Sequence, residues 1–267
     1  MLTVYKKYLT YLMAGELVIL ALGAGLIHDG MGWPLAAAAV IILSFVLLVF
    51  LEIRAAMLHQ RLLGILYLLQ RPKDFIEVFK PLSMQKKMRP NARFTVTAYL
   101  SNAYAAMGDF KTALEVLDLA PALRGRRGKE AEALLSGNRC SIYLYMGQLQ
   151  QAEKELEKLS SLSSSGSRRG SRAQQADTLE ILRVRLNTAH GGAVQKDADL
   201  IRGRLSGKGS ALYKTQLRYL LGQIYIQLGE YDFAAHYLNE AAKAGNQIWV
   251  SGQAAELLKT LPKKAKK

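Results

Sequence analysis

Three segments of this chain repeat one pattern, and that pattern constrains the fold more tightly than any other feature. They are "YLSNAYAAMGDFKTALEVLDLAP" (99–121), "NRCSIYLYMGQLQQAEKELEKL" (138–159) and "YLLGQIYIQLGEYDFAAHYL" (219–238). Each places a tyrosine four residues before a glycine: Tyr104 and Gly108, Tyr143 and Gly147, Tyr225 and Gly229. A large apolar residue follows each glycine by two (Phe110, Leu149, Tyr231), alanine comes three later (Ala113, Ala152, Ala234), and leucine four after that (Leu117, Leu156, Leu238). Spacings of three and four residues align one face of an α-helix, so each segment reads as helix, glycine turn, helix. The glycines recur after 39 and then 82 residues, an interval of one repeat and then about two. A degenerate copy is therefore expected near residue 190, where "AHGGA" (189–193) supplies a turn.

Glycine inside a helix costs roughly 0.5–1 kcal/mol relative to alanine, so Gly222 needs a reason. Ser101 and Cys140 hold the equivalent place in the other two segments. Small side chains there are expected to let the paired helix approach closely, with Ala113, Ala152 and Ala234 facing them. Gly108, Gly147 and Gly229 are expected to end the first helix of each pair in the left-handed conformation that glycine adopts freely.

This pattern resembles the tetratricopeptide repeat, W-x2-L-G-x2-Y, then A-x3-F, then P. Leu221-Gly222-x2-Tyr225 and Ala234-x3-Leu238 match it, with Arg218 in place of tryptophan. Leu100, Tyr104, Ala113, Leu117 and Pro121 match it in the first copy. The resemblance implies an all-α, right-handed solenoid of helical hairpins, whose first helices line a concave groove that binds peptides or helices of other proteins. On that implication the exposed groove positions are Asn102, Tyr145, Tyr219, Gln223 and Gln227. Asn102 matches an asparagine that chaperone-binding members use for a carboxylate. The lysine that accompanies it, four residues earlier, is Ala98 here, which argues against that clamp.

The remaining segments complete a stack. Residues 58–82 read as a degenerate first hairpin turning at Arg71–Pro72, with Tyr67 and Phe75 standing for Tyr104 and Phe110. Residues 173–205 read as the cryptic fourth pair, and 248–261 as a helix capping the open end. The repeat domain is thus expected over 55–262, with about five hairpins and a cap. "SSLSSSGSRRGSR" (160–172) reads as a flexible loop between the third and fourth pairs, with Ser171 as a conceivable phosphorylation site. "KKAKK" (263–267) reads as a basic tail.

Residues 1–54 read differently. Leu35–Leu51 carries no charge, Trp33 and Pro34 precede it, and Glu52 and Arg54 close it. The 21 residues 33–53 compare with about 20 needed to cross a bilayer. A second apolar stretch, 8–27, contains Glu16, and a carboxylate at the bilayer centre costs about 2.5–3.5 kcal/mol. Two membrane-spanning helices forming a hairpin are expected, with Ala21 and Gly25 against Ala36 and Ala39 at the close approach. A cleaved signal peptide is the lesser reading of the first stretch. Lys6 and Lys7 lie before it, and Arg54, Arg61, Arg71 and Lys73 follow the second, which puts both termini in the cytoplasm by the positive-inside rule.

Composition excludes more chemistry than it suggests. The lone cysteine, Cys140, permits no internal disulfide and sits at a packing position. His28, His59, His190 and His236 are scattered without metal-ligand spacing, and no glycine run has phosphate-binding spacing. No catalytic residue, metal or cofactor is expected. A net charge of +15 points to an anionic neighbour, with basic groups at Lys86–Arg93, 124–129 and 263–267. Anionic lipid headgroups fit a domain tethered at a bilayer. Nucleic acid fits less well, because no aromatic platform accompanies these groups. The expected function is a membrane-anchored scaffold that holds an unidentified protein partner. The alternatives are a structural subunit acting through its membrane hairpin, where Glu16 is the residue to watch, and a basic peripheral binder of lipid or nucleic acid.

Overall fold

A computed structural model describes residues 2–28, 32–85, 87–164, 169–245 and 247–262; at residues 2–9, 26, 164 and 169–172 it describes the backbone alone. The described residues form twelve α-helices and no strand. Two compact units divide between Gly64 and Ile65.

The first unit holds α1 (Leu2–His28) and most of α2 (Trp33–Tyr67). α2 runs 35 residues without a break, passing through the boundary expected at residues 54/55. It is long and apolar enough to cross a membrane, with a window of mean hydropathy 2.8 that is only 6% buried. The described apolar stretch of α1, Thr10–Gly25, is shorter. α1 and α2 touch where Leu47 occupies the space that a Cβ on Gly15 would need, and Val40 the space beside Gly23. Ser44 donates to the Glu16 carboxylate at 2.8 Å. The close approach thus falls on Gly15 and Gly23 rather than on Ala21 and Gly25, which are exposed. The helical period explains the shift, because Gly15, buried Ile19 and Gly23 succeed one another at four-residue steps on one face. The connector at 29–31 and the Lys6 and Lys7 side chains lie outside the described residues.

The second unit is a stack of paired helices. α3 (Pro72–Ser83) follows the end of α2 and packs on α4 (Pro90–Met107), α4 pairs with α5 (Phe110–Asp118), and α6 (Gly125–Tyr145) with α7 (Leu149–Ser164). α8 (Arg169–Ala189) and α9 (Gln195–Ser206) follow, then α10 (Ala211–Gln227) with α11 (Tyr231–Ala242), and α12 (Trp249–Thr260) closes the series. Helix also replaces most of the loop expected at 160–172: α7 runs to Ser164 and α8 begins at Arg169. Residues 165–168 lie outside the described residues, as do Lys86, the Ser171 side chain and the tail 263–267. Arg126, Arg127 and Lys129, expected in a linker, belong to the first turns of α6.

One backbone device makes four of the turns. Gly108, Gly147 and Gly229 take φ of 88°, 70° and 75°, the left-handed region. The residue after each glycine donates its N–H to the tyrosine carbonyl five residues back: Asp109 to Tyr104 at 3.0 Å, Gln148 to Tyr143 at 2.9 Å, Glu230 to Tyr225 at 2.9 Å. This closure satisfies helix-terminal carbonyls and explains the fixed Tyr-to-Gly spacing. At the expected fourth turn, Gly191 has φ 79° and Gly192 donates to Asn187 at 2.9 Å, so asparagine stands in the tyrosine's place.

Between paired helices the contact is tighter than the sequence implies. Ser101, Cys140, Ala113, Ala152 and Ala234 are all fully buried. Directly over Gly222, however, stands Leu238, whose Cγ and Cδ2 fill the space a Cβ would take. The leucine of the second helix, not Ala234, is what the missing side chain admits.

Candidate functional site

The first helices of successive pairs, α4, α6, α8 and α10, line two adjoining cavities of about 280 and 290 Å³. Asn102 lines the first; Tyr219, Gln223 and Gln227 line the second; Tyr145 lines both. All five positions expected in a groove therefore lie on this surface, but in different conditions.

Tyr219 is 7% exposed, a buried residue rather than the exposed one expected. Burial, with Tyr145 nearby, pushes its phenol up to about 12 against the weaker opposing effect of Arg185. Gln227 is exposed but engaged, since Nε2 donates to the Thr188 carbonyl at 2.6 Å and Oε1 accepts from Ala193 N–H at 3.1 Å. It fastens α10 to the α8–α9 turn. Asn102 Nδ2 donates to the Tyr67 hydroxyl at 3.1 Å, and burial is the main reason that phenol titrates above its ordinary value. Gln223 reaches the Tyr219 hydroxyl at 3.3 Å. Of the five, Gln223 bonds within its own helix rather than across to another.

Trp249, the first residue of α12, enters the second cavity. Its ring lies 5.0 Å from Phe110, 5.1 Å from Tyr145 and 6.4 Å from Tyr219, edge to face in each case. A Cβ on Gly108 would strike that ring, so Gly108 is needed both for its positive φ and for this approach. At the other end of α10, Thr215 donates to Gln70 in the α2–α3 turn at 3.0 Å. The stack within this unit thus curls until α10 meets the α2–α3 turn and α12 meets the α4–α5 turn, so α12 closes the concave side as well as the end of the stack.

Arg185 lies in the wall the two cavities share. Nη1 donates to Ser141 at 2.9 Å, and Cζ sits 5.1 Å from the centre of the Tyr145 ring. It is the residue with a formal charge among the described lining of either cavity. Sequence reasoning missed Arg185, Asn138, Gln216 and Trp249. One available signal was the turn glycines: counting back six from Gly108, Gly147, Gly191 and Gly229 gives Asn102, Ser141, Arg185 and Gln223, one residue per inner helix. For Trp249 there was no local signal, because its position depends on the curl of the whole stack.

Cys140 is fully buried, and burial pushes its thiol up to about 12, so it is protonated at neutral pH and a poor nucleophile. His190 pairs with Glu153 at 2.9 Å on the surface, and His236 lies beside Tyr237. Among the described residues no group of three or more His, Cys, Asp or Glu is placed to hold a metal ion.

Residues 215–244, covering most of α10 and all of α11, match the family model of the tetratricopeptide repeat. No curated protein and no solved structure matches the chain.

Proposed function

We propose, from the tetratricopeptide repeat that residues 215–244 match, that the chain is a membrane-anchored, non-catalytic scaffold whose inner cavities receive a segment of a partner protein at the cytoplasmic face. The repeat itself supports a role in protein–protein interaction. The observation that carries the finer reading is the pair of adjoining cavities on the first helices of the pairs, sharing Tyr145, Arg185 and Gln216.

Membrane attachment is supported by α2, whose outer face is almost entirely exposed and apolar: Leu35, Ile41, Phe45 and Phe50 are each more than half exposed. A soluble helix with such a surface would carry a large aggregation liability. In the proposal lipid covers it, with Trp33 at one interface. Arg54 and Arg61, close after the apolar run, orient the repeat unit to the cytoplasm and meet anionic headgroups there, each worth about 1 kcal/mol. The bond from Ser44 to Glu16 satisfies the carboxylate within the chain, which favours a role for Glu16 in joining α1 to α2 over one in recruiting a partner.

The test is purification of the full chain in gentle detergent beside a variant with Gln216→Ala and Gln223→Ala, both half-buried and neither essential to a turn. A stoichiometric protein retained by the parent and lost from the variant supports the reading. Retention by both, with loss on Glu16→Gln, transfers the working surface to the membrane helices.

A further inference from the structure

We propose that the shared wall of the two cavities is a recognition site for an internal acidic side chain, aspartate or glutamate, of an extended partner segment, with Arg185 as the residue that reads the charge. The proposal rests on the scaffold reading and deepens it.

A guanidinium has five N–H donors and no acceptor. The structure gives Arg185 one neutral partner, Ser141, and the face of Tyr145. Asp177 and Glu180, on the same helix as Arg185, pair instead with Arg204 of α9. A half-buried cation in a concave wall, with no carboxylate among the described lining, has lost part of its hydration with only a hydroxyl and a ring face in return. Two further donors sit in the same first cavity. Asn138 Nδ2 and the Tyr145 hydroxyl are both shielded from solvent and have no hydrogen-bond partner among the described residues. Buried donors are almost always paired, so three under-used donors on residues that line one concavity call for an acceptor supplied from outside. A carboxylate has two oxygens with about four acceptor sites, carries the charge Arg185 lacks, and matches the guanidinium fork.

Geometry decides between a side chain and a chain end. Arg185 borders both cavities, as do Tyr145 and Gln216. A segment whose carboxylate meets Arg185 while its backbone continues on both sides fills the two together, whereas a terminal carboxylate at that wall fills one. Ala98, buried on α4, further separates this site from an end-capturing clamp built on a lysine there. The chain's net charge of +15 favours an acidic segment at longer range.

The test uses the full chain in neutral-lipid nanodiscs and three pools of nonapeptides with randomised neutral flanks. One pool has a central Glu and blocked ends, a second a central Gln and blocked ends, and a third a neutral centre and a free terminal carboxylate. The expected result is at least tenfold greater retention of the Glu pool than of either other pool. Arg185→Gln should abolish that preference, Arg185→Lys should keep part of it, and Tyr145→Phe should reduce it several-fold. Arg183→Gln, on the exposed side of the same helix, should leave it unchanged. Equal retention of Glu and Gln pools above the blank overturns the charge reading while leaving a peptide-binding groove. Retention of no pool overturns both that inference and the scaffold reading of the groove. Preference for the free-carboxylate pool, or a Glu preference that survives Arg185→Gln with the fold intact by melting, also overturns the proposal.

Discussion

The third helix pair, α6–α7, and the fifth, α10–α11, carry the same sequence pattern and yet hold themselves together differently. Their turns are alike, with a left-handed glycine and a return bond of 2.9 Å to the tyrosine carbonyl in each. Their interiors are not. In the fifth pair Gly222 admits Leu238, and Tyr225 is 1% exposed, stacked 5.3 Å from Phe233 and 5.6 Å from Tyr237. In the third pair Cys140 fills its own space beside Leu156 and Leu159, and Tyr143 is only half-buried. The family match falls on the fifth pair, where the small residue and the aromatic are both fully used. The turn is therefore the invariant of the repeat, and the interlock is an elaboration that one pair has and another replaces with a side chain.

The largest expected effect breaks the interlock itself. Tyr225→Ala removes a buried aromatic from the cluster shared by α8, α9, α10 and α11 and should cost about 3–5 kcal/mol. Tyr143→Ala, at the half-buried counterpart, should cost about half as much; equal losses by equilibrium denaturation in mild detergent would erase the distinction drawn here.

Exchanging the two small residues comes next. Gly222→Cys pushes a side chain into Leu238, which is fully buried and cannot swing out, and should cost about 1–3 kcal/mol. Cys140→Gly leaves a cavity and adds a helix glycine, for about 2–3 kcal/mol. Either exchange proving neutral would show that the two pairs share one packing after all.

Alkali should weaken both pairs through different groups. The Cys140 thiol rises from 9.0 to about 12 and the Tyr219 phenol from 10.0 to about 12 in the folded chain, chiefly by burial. Both groups are neutral when protonated, so the unfolded chain loses these protons first and gains stability as pH rises. Folding stability is thus unaffected by them below pH 9 and falls between about 9 and 12, with a limiting slope of about 1.4 kcal/mol per pH unit for each group. Denaturation at a series of pH values would reveal it, and Cys140→Ala should remove the earlier part of the decline. A flat profile from pH 8 to 11 contradicts the burial of both.

The smallest effect concerns what the pairs share. Gly147→Ala and Gly229→Ala each place a Cβ in the left-handed region with open space around it, so each should cost about 1–2 kcal/mol and the two should agree. Gly108→Ala should cost more than either, because its Cβ also meets Trp249. If all three cost the same, α12 does not press on the α4–α5 turn.

Legibility followed the range of the interaction. Tyr104, Tyr143 and Tyr225 announced the turns because an i to i+5 hydrogen bond fixes their distance from glycine regardless of what surrounds them. The fourth turn was legible only as a glycine at the right interval, since Asn187 supplies the same carbonyl without the aromatic. Helix at 160–164 and 169–172 was hidden by a composition of serine, glycine and arginine, in which local propensity is weak and neighbouring helices decide. Of the groove residues, Asn102 and Gln223 were found through the repeat register, while Arg185 sits at the same register in a helix whose repeat signature is nearly erased.

The sequence by itself determined that this chain alternates helix and turn with a period near forty residues, that small residues stand where paired helices cross, and that residues 35–51 form an uncharged, continuously apolar stretch. Those are consequences of hydrogen bonds and packing between residues a few positions apart. Only the tertiary structure decided that the stack curls until Trp249 reaches Gly108 and Thr215 reaches Gln70, dividing an open groove into two cavities around Arg185. Curl accumulates from a small rotation at each pair, set by the summed shapes of many side chains, and no local pattern encodes that sum.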